Sequence, residues 1–224
     1  MVCADWFFFA LFSLFRFSLS IGLLERPLFI GLLWALATGD YDICLKIAIF
    51  FELAWLDIIP AGTYIPPHLG AAMFTALALT SLYGLTDTGQ IALAMTAGIP
   101  MAWLGTRLEA KLRIGQGKCH AMAQQWAERL GSGPFPERII YLSMLRSFAT
   151  SWLFFFVSLV ILDLLLRMLL GVLGPLLDQM NVDWPHLWLA ASLGGLLALR
   201  VRRAYAVFFS GAALVGLALI IKAL

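Results

Sequence analysis

Charged side chains are scarce in this sequence, since Asp, Glu, Lys and Arg together make up only 12% of its 224 residues. Soluble domains carry roughly 25%, and the hydrophobic share of 62% and the mean hydropathy of +0.92 are correspondingly high. This composition excludes an ordinary soluble protein and indicates that lipid is the main solvent. We therefore expect an all-α, polytopic transmembrane protein in which residues 1–224 form a single transmembrane domain.

The sequence also lacks the motifs of common catalytic and metal sites. Its three cysteines, Cys3, Cys44 and Cys119, lie in different segments and form no metal-binding spacing. No Walker, HExxH, nucleophile-elbow or dinucleotide motif occurs in a suitable context. The basic residues do not alternate with aromatic ones as in a nucleic-acid surface. We therefore expect no catalytic residue, no metal, no cofactor and no nucleic-acid partner.

Apolar segments follow one another along the chain, but several are too short to span a bilayer. Gly39 and Asp40 interrupt the early segments, and the proline-rich stretch 60–67 interrupts them again. Such breaks at membrane depth occur where the backbone is buried in protein or lines a cavity. We therefore predict broken or re-entrant helices in the first half. The predicted embedded segments are 6–24, 28–38, 41–57, 67–83, 89–106, 139–166, 186–200 and 205–221.

One hydrophilic stretch, residues 107–138, contains six Lys or Arg residues against three acidic ones. An excess of basic residues marks the cytoplasmic side, so we predict a cytoplasmic loop. Within it, Met122, Trp126 and Leu130 recur every four residues. This spacing fits an interfacial amphipathic helix, and a plain solvated loop remains an equal alternative.

Ionisable residues inside apolar segments are costly and are candidates for function. Glu52 lies in such a segment, and Trp55, three residues later, shares its helix face. A carboxylate accepts hydrogen bonds from sugar hydroxyls, and an aromatic face stacks on the apolar side of a sugar ring. We expect Glu52 to line a polar-substrate site, with Asp40, Trp55, Asp57 and Tyr64 as weaker candidates.

Structural interpretations compete with several of these functional ones. Asp40 is equally well placed to cap a helix, and Lys46 can pair with Asp42 one turn away. Glu25 and Arg26 fit an interfacial anchor pair at a helix end. Further along the chain, Asp163 and Arg167 are expected to pair, and His68 lacks the neighbours of a metal ligand.

The region from Arg26 to His68 resembles the enzyme IIC subunit of the mannose/fructose/sorbose family of the phosphotransferase system. The likeness is carried by RPL at 26–28, GD at 39–40, Glu52 and PAGTYIPP at 60–67, and it continues weakly into 196–219. The resemblance implies a multi-pass subunit of the bacterial inner membrane that translocates a sugar, with a hexose as the expected substrate. It also implies an oligomeric assembly with a membrane subunit IID and cytoplasmic IIA and IIB components. Those components carry the phosphate, so the IIC chain itself performs no phosphoryl chemistry.

Two departures from the family pattern leave an alternative. Pro67-His68 stands where the family has Pro-Asp, and the family continues for another hydrophobic segment beyond Leu224. The alternative is a degenerate, transport-inactive homologue that serves as a structural or regulatory membrane partner.

Overall fold

The computed structural model describes six parts of the chain, and within them every regular element is an α-helix. These parts are residues 26–55, 67–128, 136–177, 182–198, 205–207 and 209–211. The helices are α1 (Pro27–Thr38), α2 (Tyr41–Ala54), α3 (Leu69–Tyr83), α4 (Thr88–Glu128), α5 (Pro136–Leu177) and α6 (Trp184–Ala198). The all-α prediction is confirmed for these residues. The predicted segment 6–24 and most of 205–221 lie outside them.

Helices α1 and α2 form an antiparallel hairpin around the predicted break. Pro27 occupies the first turn of α1, where its missing N–H is harmless. Gly39 ends α1 with a φ of 82° and donates its N–H to the Ala35 carbonyl at 2.8 Å, a conformation that favours glycine. Asp40 then caps α2 by accepting the Ile43 N–H at 3.2 Å. The capping interpretation of Asp40 is therefore confirmed.

The hairpin helices are short for membrane segments. α1 has 12 residues and α2 has 14, which at 1.5 Å per residue gives about 18 and 21 Å. The hydrocarbon core of a bilayer is about 30 Å thick. Two other helices, α4 and α5, are long and apolar enough to cross it, as expected for a membrane protein.

Helix α3 lies at the centre of the bundle and contacts α1, α2, α4 and α5. Its residues from Ala71 to Thr80 are all buried, which suits a helix that is apolar on every side. α4 crosses it closely at Gly98, where an added Cβ would lie 2.7 Å from the Ala72 carbonyl oxygen. Small residues at such crossings let membrane helices approach each other.

The described part of 107–138, for which we predicted a loop that could contain an interfacial helix, is helical. α4 continues from the apolar segment through Glu128, and α5 begins at Pro136. The sequence between 107 and 128 is rich in good helix formers and contains no proline. It also contains an i,i+4 pair in which Arg113 donates to Glu109 at 2.6 Å. The expected amphipathic segment is thus mostly continuous with α4, and its cytoplasmic location stays a prediction.

Helix α5 is longer than predicted and exposes most of its apolar surface. Only 17% of its most apolar window is buried within the protein, which suits contact with lipid. The predicted pair is present, with 3.6 Å between Arg167 and the Asp163 carboxylate. Tyr83 at the end of α3 donates to the same carboxylate at 2.5 Å, a partner that the sequence did not indicate.

Candidate functional site

Glu52 lies near the end of α2 and is held by the start of α1. Arg26 donates from Nη1 to Glu52 Oε1 at 3.1 Å. The Leu28 N–H donates to Glu52 Oε2 at 3.4 Å, so the carboxylate also caps an N–H group that α1 cannot satisfy itself. Its side chain remains 19% exposed and that of Arg26 remains 53% exposed. Glu52 is therefore a fixed carboxylate that still reaches the surface of the described protein.

This contact changes the interpretation of Arg26. The sequence placed it with Glu25 in an anchor pair, but Arg26 instead bridges the two helices of the hairpin, and Glu25 lies outside the described residues. The sequence contained one sign of this pairing, because the family resemblance rests on both the RPL start and the membrane Glu. The two motifs meet in one contact because an antiparallel hairpin brings its first and last residues together.

Trp55 shares the same end of the hairpin as Glu52. It ends α2 with a φ of −123° and a ψ of 35°. Its ring stacks on that of Phe51, with centroids 5.2 Å apart and planes at 8°. The structure thus brings together two of the predicted site residues. Asp57 and Tyr64 belong to the segment 56–66, which lies outside the described residues.

Helix α6 covers the same helix that carries Glu52. An added Cβ on Gly195 would lie 2.5 Å from the Leu53 carbonyl oxygen. Trp188 donates from its indole N–H to the Lys46 carbonyl at 3.2 Å. Lys46 in turn binds Asp42 at 2.5 Å, so the predicted structural pair is confirmed. The Glu52 end of α2 is therefore closely packed by a helix distant in sequence.

Asp40 lies at the opposite end of α2 from Glu52. Twelve residues of helix separate the two carboxylates, a distance of about 18 Å. The structure therefore does not bring Asp40 to the site of Glu52 and Trp55. Asp40 instead borders a cavity of about 200 Å³ between the α1–α2 turn and the end of α3.

The cavity has a mixed lining. Aliphatic residues form one part of it, namely Ile43, Ile47, Leu77 and Leu85. Polar residues form another, namely Thr38, Asp40, Cys44, Thr80, Ser81 and Thr86. Hydroxyl groups provide most of the polar lining, and these were not predicted because isolated Ser and Thr residues carry little signal in an apolar sequence.

A hydrogen-bond network holds part of this lining. Trp34 donates its indole N–H to Ser81 Oγ at 3.2 Å. Thr38 donates to the Trp34 carbonyl at 2.9 Å and accepts the Asp40 N–H at 3.4 Å. Thr80 is 5% exposed, and its Oγ1 has no hydrogen-bond partner among the described residues. This is unusual, because buried hydroxyls are nearly always paired.

His68, the departure from the family's Pro-Asp, acts as the cap of α3. Its Nδ1 accepts the Ala71 N–H at 3.1 Å, and the residue is 8% exposed. Its own N–H donates to the Ala102 carbonyl at 2.9 Å. Because an aspartate would also cap a helix in this way, the histidine preserves the local structure despite the changed side chain.

Comparison with known proteins places the chain in one family. A family model described as the PTS system sorbose-specific IIC component matches residues 5–182, whereas individually curated proteins give no significant match. The match covers more than half of the chain and includes both ends of the hairpin. The chain belongs to the sorbose-specific IIC component family, and is a sugar-translocating membrane subunit of a mannose/fructose/sorbose-type, phosphoenolpyruvate-dependent phosphotransferase system.

Proposed function

We propose that the translocated sugar, a hexose, binds at the end of the hairpin that carries Glu52 and Trp55. In this proposal the chain works in the bacterial inner membrane as an oligomeric assembly with the membrane subunit IID. Cytoplasmic IIA and IIB components supply the phosphate, and this chain supplies the path for the sugar.

The observation that carries the proposal is how Glu52 is held and how far it is exposed. It is a carboxylate within an apolar helix, it is held in place by Arg26 and the Leu28 N–H, and it remains partly exposed. A carboxylate has about four lone-pair sites, so two protein donors leave capacity for hydroxyl donors of a sugar. The fixed orientation lowers the entropy that binding would otherwise cost.

The other candidates take complementary roles. Trp55 offers an aromatic ring beside the carboxylate, and one of its faces is already stacked on Phe51. Asp57 and Tyr64 follow directly in sequence and would complete the polar wall. Asp40, about 18 Å away along α2, would meet the sugar at a different stage of its passage.

The lengths of the helices support a topology for this site. We take α1 and α2 as a re-entrant hairpin, because neither is long enough to cross a bilayer. α4 and α5 are the spanning helices, and the basic stretch from 107 to 138 lies on the cytoplasmic side. The proline-rich stretch 60–67 follows the Glu52 end in sequence, and interrupted backbone of this kind is tolerated at membrane depth where it lines a cavity.

An uptake assay in cells that express IIA, IIB and IID with this chain tests the proposal. The variants are Glu52→Gln, Arg26→Gln and, as a matched control on the same helix, Asp42→Asn. We expect Glu52→Gln to reduce uptake of labelled sorbose, mannose or fructose at least about tenfold, since it weakens a charged acceptor. Asp42→Asn should leave uptake unchanged, and omission of IIA, IIB or IID should abolish it.

The Arg26→Gln variant distinguishes a role of Glu52 in sugar binding from a role in holding the hairpin together. If Glu52 contacts the sugar, Glu52→Gln reduces uptake more than Arg26→Gln does at equal amounts of protein in the membrane. Equal losses in the two variants would show that the ion pair only holds the hairpin together. Full uptake without IID would contradict the proposed assembly.

A further inference from the structure

We propose that an exposed face of α4, at the cytoplasmic end of its membrane span, binds the headgroup of an anionic phospholipid. Trp103, Arg107 and Lys111 form this surface, which we call the headgroup face. The proposal rests on α4 as a spanning helix whose basic end lies in the cytoplasm, and it does not depend on where the sugar binds.

The first argument is the level of the headgroup face along α4. The Ala102 carbonyl accepts the N–H of His68, the cap of α3, at 2.9 Å. A Cβ added to Gly105 would lie 2.8 Å from the His68 Cβ. These contacts place residues 102–105 beside the start of α3. The predicted embedded segment 89–106 ends at the same level, so the residues that follow belong to the membrane interface.

The second argument is the spacing of the three side chains. Each follows the previous one by four residues, so they form one stripe along the helix that advances about 6 Å per step. The headgroup layer on each side of a bilayer is about 5–8 Å thick. With Trp103 at the edge of the hydrocarbon core, Arg107 therefore lies within the headgroup layer. Lys111 starts beyond it, but helical side chains lean towards the N-terminus, which here is towards the bilayer.

The third argument is the chemistry of the headgroup face. Trp103 is 63% exposed, and Arg107 lies over its ring with Cζ 4.3 Å from the centroid. A guanidinium that stacks through its flat side keeps its N–H groups at the edge, where they can donate to two phosphate oxygens. Lys111 is also exposed and adds a second cation. Tryptophan itself is enriched at membrane interfaces.

The fourth argument is the placement of the acidic residues of α4, which are Glu109 and Glu128. Glu109 is 3% exposed and binds Arg113 at 2.6 Å. Two residues apart on a helix, Glu109 and Arg107 do not face each other. Glu128 lies about 25 Å beyond Lys111. The headgroup face therefore carries two positive charges without a carboxylate, and an anionic headgroup complements them. Because Trp103 lies on the bilayer side of both cations, a lipid fits this face better than an acidic protein does.

The test measures lipid binding by the full chain in a neutral detergent. Phosphatidylglycerol is the anionic probe and phosphatidylcholine the neutral one, and native mass spectrometry follows each titration. We expect phosphatidylglycerol to bind in preference to phosphatidylcholine. Arg107→Gln and Lys111→Gln should each weaken its binding about fivefold. The matched control, Lys118→Gln, removes the same charge about 10 Å further along α4 and should leave binding unchanged.

Two further variants test the ring and the planar cation separately. Arg107→Lys keeps the charge but lacks the planar fork of donors. Trp103→Leu keeps an apolar side chain but removes the ring on which the guanidinium lies. We expect each to weaken binding of phosphatidylglycerol about threefold. Both positions are exposed, so these variants should accumulate as the unmodified chain does.

Three results would overturn the inference. Equal binding of the two lipids would show that the headgroup charge is not recognised. Equal losses in Lys111→Gln and Lys118→Gln would show a diffuse attraction instead of a site. Displacement of phosphatidylglycerol by millimolar inorganic phosphate would assign the face to a soluble anion. Sugar uptake does not enter this measurement, so none of these results would affect the Glu52 site.

Discussion

The two ends of α2 use their carboxylates in different ways. At one end, Glu52 is engaged by Arg26 and the Leu28 N–H, and α6 packs closely against the neighbouring backbone. At the other end, Asp40 caps the helix and borders an open cavity whose polar lining residues mostly carry hydroxyl groups. The carboxylate that looked most functional in the sequence accepts from two protein groups, whereas Asp40 accepts from one. A charged residue in an apolar segment thus marks an important position, but the sequence does not show whether its side chain holds helices together or binds a ligand.

The largest effect on this comparison is expected from a substitution that separates α6 from the Glu52 end. Gly195→Ala would place a Cβ 2.5 Å from the Leu53 carbonyl oxygen. We expect overpacking to lower the stability by about 1–3 kcal/mol and to reduce sugar uptake. Thermal unfolding in detergent measures the first effect, and the uptake assay measures the second.

The adjacent glycine is the matched control for that substitution. No heavy atom lies within 4 Å of a Cβ added to Gly194, so Gly194→Ala should be neutral or stabilising by up to about 1 kcal/mol. Equal destabilisation by the two variants would contradict the close α2–α6 contact.

A smaller effect is expected at the cavity end from Gly39→Ala. Gly39 has a φ of 82° and open space around an added Cβ, so the cost is conformational only, about 1–2 kcal/mol. Gly39→Asn should cost less, because asparagine tolerates this conformation. Sugar uptake should weaken in parallel with stability, since the turn positions the candidate residue Asp40. A clear loss of uptake at full stability would contradict a purely conformational role of Gly39.

The smallest effect is expected between the two ends, at Lys46. Lys46→Gln removes the ion pair with Asp42 and the contact with the Trp184 ring, whose centroid lies 5.9 Å from Nζ. Together these contribute at most about 1 kcal/mol. Asp42→Asn removes only the ion pair, so the difference in thermal stability between the variants reports the ring contact. If Lys46→Gln lowered uptake as much as Glu52→Gln, the site would extend along α2 to the middle of the helix.

The sequence predicted the features that depend on local chemistry. The break at Gly39 and Asp40, the cap by Asp40 and the pairs Asp42–Lys46 and Asp163–Arg167 all follow from spacings of a few residues. The family also followed from a short ordered set of residues. No observation favours the degenerate alternative, and the capping role of His68 explains one of the two departures that motivated it.

The features that the sequence did not predict depend on residues far apart in the chain. Arg26 and Glu52 are 26 residues apart, and Trp188 and Lys46 are 142 apart. The charge pattern marked 107–138 as different from its surroundings, and the prediction was a loop with an interfacial helix as an equal alternative. The pattern did not show that α4 continues through Glu128, on which Glu109 is only 3% exposed and pairs with Arg113.

The contact between α2 and α6 has a consequence for how the subunit is made. The hairpin can close as soon as residue 55 has left the ribosome, since the Arg26–Glu52 pair neutralises its own charges within 26 residues. The cavity is complete once Thr86 has followed. Helix α6 can cover the Glu52 end only after Gly195 has been synthesised. A chain halted before Trp184 would therefore hold every residue that lines the cavity while the Glu52 end of α2 remained uncovered by α6.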